Sequence, residues 1–118
     1  QRRNNAEYFQ KIFLNTDYVS IQKENQYSSW FGFSMILKGK LKNKRDYVLS
    51  SLKEKGIETR PIISGNFLKY PVTKFMDYSI YGNTKNSEEI DRNGFFIGNN
   101  HIGLEKELNY FKKTMKDL

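Results

Sequence analysis

Apolar residues recur at three- and four-residue steps near both ends of the chain and crowd together between them. "RRNNAEYFQKIF" spaces Ala6, Phe9, Ile12 and Phe13 along one side of a predicted helix. "LEKELNYFKKTMKDL" repeats Leu104, Leu108, Phe111, Met115 and Leu118, the strongest periodic signal present. A further helix is predicted in "NKRDYVLSSLKEKG". Asn43 is placed to cap it, Asp46 sits in its first turn, Val48 and Leu52 form its buried stripe, and Gly56 stops it. A short helix from Ser87 through Ile90 is expected, with Ser87 as cap and Gly94 as terminator.

Strand signals fall between these helices. "SSWFGFSMILKGK" packs Trp30, Phe31, Phe33, Met35, Ile36 and Leu37 ahead of a Gly39 turn, the density of a strand buried on at least one face. "FFIGNN" reads as a strand, and "IETRP" as a short one that Pro61 ends for want of a donor. "YVSIQ" is short and β-prone, while "FMDYSIYGNTKNSEE" is polar and turn-rich around Gly82-Asn83. The order is helix, strand, helix, strand, irregular loop, helix, strand, helix. It predicts an α+β domain, a small three-stranded, mainly antiparallel sheet flanked by helices.

Composition adds limits. The chain has 118 residues, enough for one domain with a core and too few for two. Hydrophobic residues are only 37%, but aromatics reach 15%, and their large buried areas can compensate. There is no cysteine, which excludes disulfides and thiolate metal sites and fits a reducing, cytoplasmic setting. No apolar run is long enough to span a bilayer. The start, "QRRNNAEYF", lacks methionine and reads as mid-helix, the expectation for residues 1–118 being a fragment of a longer protein. A formal charge of +7 admits a basic module that binds nucleic acid, but the lysines are scattered, and "KGKLKNKR" reads as a solvated loop.

Catalytic chemistry is thinly represented. His101 is the one histidine, no second ligand stands at metal spacing, and no serine has an identifiable base. Arg60 precedes Pro61, so its backbone is restricted to an extended form, and its guanidinium suits either an anion or an ion pair with Glu58 or Asp91. Asn66 suits sugar hydroxyls or a turn. Trp30, Phe31 and Phe33 suit ring stacking or core packing.

Taken together, "RRNNAEYF", "SSWFGFSMIL", "LKEKGIETRPIISGNFLKYP" and "IDRNGFFIGNNHIGL" resemble the C-terminal domain of the DegT–DnrJ–StrS sugar aminotransferase family. That resemblance implies the C-terminal small domain of the pyridoxal phosphate-dependent aspartate aminotransferase fold. Where aminotransferases of the family tend to carry Pro-Leu-His after the arginine, this chain has Ile63, Ser64, Gly65, Asn66 and Phe67. The Gly-Asn-Phe version is similar to the dehydratase branch, whose members remove the C3 hydroxyl of nucleotide-linked 4-keto-6-deoxy sugars for surface polysaccharide. The implied cofactor is pyridoxal or pyridoxamine 5′-phosphate. The implied partners are the nucleotide-linked sugar, a large N-terminal domain absent here, and a second subunit in a homodimer. The residue that distinguishes dehydration (histidine) from transamination (lysine) belongs to that large domain, so both remain open, and the isolated chain is expected to be inactive, without tightly bound cofactor. The resemblance assigns this chain no catalytic residue. It implies sugar-binding roles for Arg60, Gly65, Asn66 and Phe67, with Trp30, Phe31 and His101 nearby and the choice between Asn100 and His101 open.

Overall fold

In the computed structural model, which describes residues 1–118, the dense apolar run becomes the middle strand of a sheet. This strand, β2 (Gly32–Leu37), lies between β1 (Val19–Ile21) and β3 (Gly94–Gly98), and both pairings are antiparallel. Because side chains alternate along a strand, the register sets two different faces. Met35 stands opposite Phe95 and Phe33 opposite Ile97 on the inner face; Ser34 stands opposite Phe96 on the outer one.

Three helices cover the inner face: α1 (Arg2–Phe13), α2 (Arg45–Glu54) and α4 (Glu105–Asp117). Of their predicted stripes, Ala6, Phe9 and Phe13, Val48 and Leu52, and Leu108, Phe111 and Met115 are buried, while Ile12, Leu104 and Leu118 pack partly buried at the core's edge. Aromatic rings fill the space between helices and sheet. Phe9 stacks on Phe33 with centroids 4.5 Å apart, Phe13 lies 4.9 Å from Phe9, and Phe111 lies 5.5 Å from Phe13. Such offset contacts add to the area term that dominates core stability. The fourth helix, α3 (Lys85–Asn93), runs directly into β3 and packs against β2 and β3. No helix is long and apolar enough to cross a membrane.

Several expectations are corrected. Residues 57–61 form no strand; their share of the sheet is a single bridge in which Arg60 and Phe96 exchange N–H···O bonds of 2.9 and 2.8 Å. The stretch is short of donors, because the N–H groups of Gly56 and Ile57 close the end of α2 and Pro61 has none. The β-prone run around Ser20 supplies the third strand instead. Asn43 does not cap α2. It adopts φ +62° and donates its backbone N–H to the buried Asn93 at 2.6 Å, so α2 begins after Lys44 without a side-chain cap. Likewise α3 starts before Ser87: Asn83 accepts the Lys85 N–H at 3.2 Å, and the Thr84 hydroxyl donates to Glu88 at 3.0 Å. Gly94 does follow the last residue of α3, but in extended form as the first residue of β3.

Phe33 joins sheet and helices with no exposure at all. Phe33→Ala is expected to lower the unfolding free energy by about 3–5 kcal/mol, as measured by chemical denaturation of the protein at neutral pH.

Candidate functional site

The outer face of the sheet is open at the Gly98 end of β3, where a recess of about 280 Å³ forms. Arg2, Phe31, Glu58, Arg60, Phe96 and Asn99 line it. The backbone bridge to Phe96 fixes Arg60 beside β3, and its side chain is exposed. The Arg60 guanidinium donates from Nη2 and Nε to the same Glu58 oxygen, at 3.0 and 3.3 Å. Of the two acidic partners the sequence allows, Glu58 is therefore the one used. Both groups are largely solvated, so this pair orients the arginine more than it stabilises the fold. Nη1 makes no bond within the chain and stays available. With two guanidiniums against one carboxylate, the recess is net positive and suits an anion. A larger trough of about 570 Å³ beside α2 has a single cation, Lys53, and gathers no comparable set of donors.

The first turn of α1 supplies Arg2, and a network of amides holds that turn in place. Asn5 is buried and donates to the Asn99 side chain (3.1 Å) and to the carbonyls of Asn100 (3.1 Å) and Ile102 (2.8 Å). The Arg2 guanidinium donates to the Trp30 carbonyl at 2.8 and 3.3 Å. Trp30 itself is 2% exposed, wedged 6.2 Å from both Phe9 and Phe33, and belongs to the core while also bordering an adjoining hollow. Its indole N–H donates to Glu24, whose carboxylate also takes the N–H groups of Gln26 (2.9 Å) and Ser28 (3.3 Å). These bonds, the indole's first, hold the Glu24 carboxyl below the usual carboxylate range.

The Gly65-Asn66-Phe67 turn lies elsewhere, against α3. Gly65 has φ +31°, and a Cβ there would fall 2.9 Å from the Asp91 Cα, so only glycine lets the turn approach. Asn66 is buried, and its side-chain oxygen accepts the Leu68 N–H at 3.2 Å, the turn role its composition allowed. Phe67 is half-exposed, with its ring 5.9 Å from Tyr70. The structure thus brings Arg60 and Phe31 together at one recess and leaves Gly65, Asn66 and Phe67 at another place. His101 is exposed, its backbone N–H donating to the Asn100 side chain at 2.7 Å; neither residue lines the recess. Sequence reading did not single out Arg2, Glu58 or Asn99 as members of one site. Only the Arg60–Phe96 bridge and the buried Asn5 reveal that these distant residues converge.

Asp91 fastens the turn to α3. It accepts from the Lys69 ammonium at 2.7 Å and from the Asn66 N–H at 3.5 Å. The Lys69 bond leads the causes that lower the Asp91 carboxyl below its ordinary value. A carboxyl lowered by folding stabilises the native state above its unfolded pKa, near 3.9. The contribution is lost as pH falls through the folded value. Acid titration of stability is therefore expected to be shallower for Asp91→Asn than for the native protein below about pH 4, measured by denaturant unfolding at stepped pH.

The family model described as the DegT/DnrJ/EryC1/StrS aminotransferase family matches residues 1–107. Over 116 residues, 98% of the chain, the sequence is 44% identical to GDP-4-keto-6-deoxy-D-mannose 3-dehydratase of Escherichia coli O55:H7. A solved structure of the E. coli dehydratase with bound hydrated PLP matches with a TM-score of 0.91 and 43% identity, covering 97% of this chain and 30% of that one. PseC, a Helicobacter pylori aminotransferase, shares the fold with a TM-score of 0.79 at 14% identity, over 98% of this chain and 31% of its own. The chain spans about 30% of the length of the dehydratase it matches. It belongs to the DegT/DnrJ/EryC1/StrS aminotransferase family.

Proposed function

We propose that residues 1–118 are the C-terminal small domain of a cytoplasmic, homodimeric enzyme that uses pyridoxal or pyridoxamine 5′-phosphate. In this reading the enzyme removes the C3 hydroxyl of a GDP-linked 4-keto-6-deoxy sugar, a step toward dideoxy sugars of surface polysaccharide. One observation carries the choice of reaction: 44% identity to a 3-dehydratase along nearly the whole chain, against 14% to an aminotransferase of the same fold.

The recess fits a wall for the sugar nucleotide better than a seat for the cofactor. Its lining includes no lysine, histidine or serine, so the groups that bind the cofactor and move protons belong to the rest of the enzyme. The bound cofactor supplies an electron-withdrawing ring conjugated to the sugar, which eases departure of the C3 hydroxyl. Residues of this domain bind and orient. Arg60 offers its free Nη1 to an oxygen of the substrate, with Glu58 fixing the plane of the guanidinium. Arg2 adds positive potential, and Phe31 and Phe96 present apolar faces that exclude water from one side of the sugar.

The decisive measurement is the product made by the full-length enzyme from GDP-4-keto-6-deoxymannose with pyridoxal phosphate and glutamate. The expected product carries a methylene at C3 in its proton NMR spectrum. A 4-amino sugar that keeps the C3 hydroxyl would return the reading to transamination. In the same assay, Arg60→Lys is expected to lower kcat/KM about tenfold or more, as loss of a charged, paired hydrogen bond does. An unchanged value would remove Arg60 from the site.

A further inference from the structure

We infer that Asn99 is a positioning residue for Phe31, holding that ring as a fixed apolar wall against the nucleotide-linked sugar; the sugar's identity rests on the function proposed above. Phe31 is 76% exposed, and its ring has no polar atom by which to be held. Its backbone is nonetheless clamped on both sides by one residue. The Asn99 side chain donates to the Trp30 carbonyl at 3.0 Å, and the Asn99 backbone N–H donates to the Phe31 carbonyl at 3.3 Å. Arg2 adds its own bonds to the Trp30 carbonyl.

The clamp acts on a strained point. Trp30 has φ +47°, a left-handed conformation that bulky side chains avoid, and its ring is locked in the core. With the ring fixed on one side and the carbonyl gripped on the other, the following peptide has one direction to leave, and Phe31 turns outward. There its ring lies 6.1 Å from Phe96, at the mouth of the recess that holds Arg60.

The amide itself is oriented without ambiguity. The Asn99 oxygen accepts from Asn5 at 3.1 Å, and its nitrogen donates to the carbonyls of both Arg2 and Trp30 at 3.0 Å. Aspartate has the same shape, but its carboxylate would face two carbonyl oxygens with no proton to share. Alanine would remove the amide's bonds to both carbonyls, leaving Arg2 as the remaining side-chain donor to the Trp30 carbonyl. Asparagine satisfies all three partners: the bonds with Asn5 and the Arg2 carbonyl orient the amide, and the one to the Trp30 carbonyl carries that orientation to Phe31.

The test uses the full-length enzyme. Asn99→Ala is expected to raise KM for the nucleotide-linked keto sugar about tenfold with kcat changed less than about threefold, the pattern of lost ground-state binding. In a Phe31→Ala background the same substitution should add less than about twofold, because the group it positions is gone. Fluorine NMR of 4-fluorophenylalanine placed at position 31 gives a readout independent of turnover. One narrow line is expected in the native enzyme, and a broad or multiple line in Asn99→Ala. Should Asn99→Ala fail to fold, Arg2→Gln loosens the second grip on the same carbonyl from the helix surface and should broaden the line as well. Additive effects in the double variant, or a line that stays single and narrow, would overturn the inference. Absence of any conversion by the native enzyme would defeat the functional reading instead, while the fluorine line would still decide the positioning.

Discussion

The stack of Phe9 on Phe33, 4.5 Å between centroids, joins the first helix to the central strand, and the site is built on that contact. Helix α1 must lie across the inner face of the sheet to bury Phe9 and Phe13. In that position its first turn overhangs the end of β3, where Arg2 and Asn5 reach Trp30 and Asn99. The helix held by this stack, and by Phe13 against Phe111, carries one guanidinium of the recess and the hub of the amide network. Stability and site geometry thus share a cause.

Polar interactions divide sharply by burial. The surface pairs Arg60–Glu58, Lys42–Glu89 and Lys69–Asp91 are each solvated to a substantial degree and contribute little net stability. The buried amides differ, since breaking one leaves donors or carbonyls without water to replace the partner. Asn5 and Asn93, both buried, and the half-buried Asn99 each connect segments about fifty to one hundred residues apart in sequence. They define where chain segments cross, while the aromatic rings supply the burial that makes the crossing favourable.

Aromatic residues serve two populations that composition does not separate. Phe9, Phe13, Phe33, Phe95 and Phe111 are core, whereas Phe31, Phe75 and Tyr81 are exposed. Between Phe67 and Thr84 only Thr73 is buried, which explains a radius of gyration of 15.5 Å, above the roughly 13.5 Å of a compact chain this long. The polar, turn-rich reading of residues 75–89 fits the exposure of the part up to Thr84, though it did not anticipate the run of exposed apolar side chains there. Trp30 and Phe31, adjacent on the chain, show the limit most plainly. One is wedged in the core and the other faces the recess because Trp30 itself takes a left-handed conformation that turns the next residue away.

Helical periodicity alone determined α1, α2 and α4 and the faces they bury, because a stripe of apolar residues has one way to leave water. Apolar density likewise marked β2 and β3 as strands, but in the unbroken run Phe95-Phe96-Ile97 the antiparallel register decides which side chains face inward. The family, too, was legible in runs such as "GIETRP" and "NGFFIGNNH". Tertiary structure decided what local pattern leaves undetermined: that residues 57–61 form one bridge and not a strand, that Asn43 binds Asn93 instead of capping a helix, and that Arg2, Arg60 and Asn99 meet at one recess. Each depends on partners far away in sequence. A hydrogen bond across such a distance is chosen by where the packed elements bring the groups, and no window of neighbouring residues contains that information.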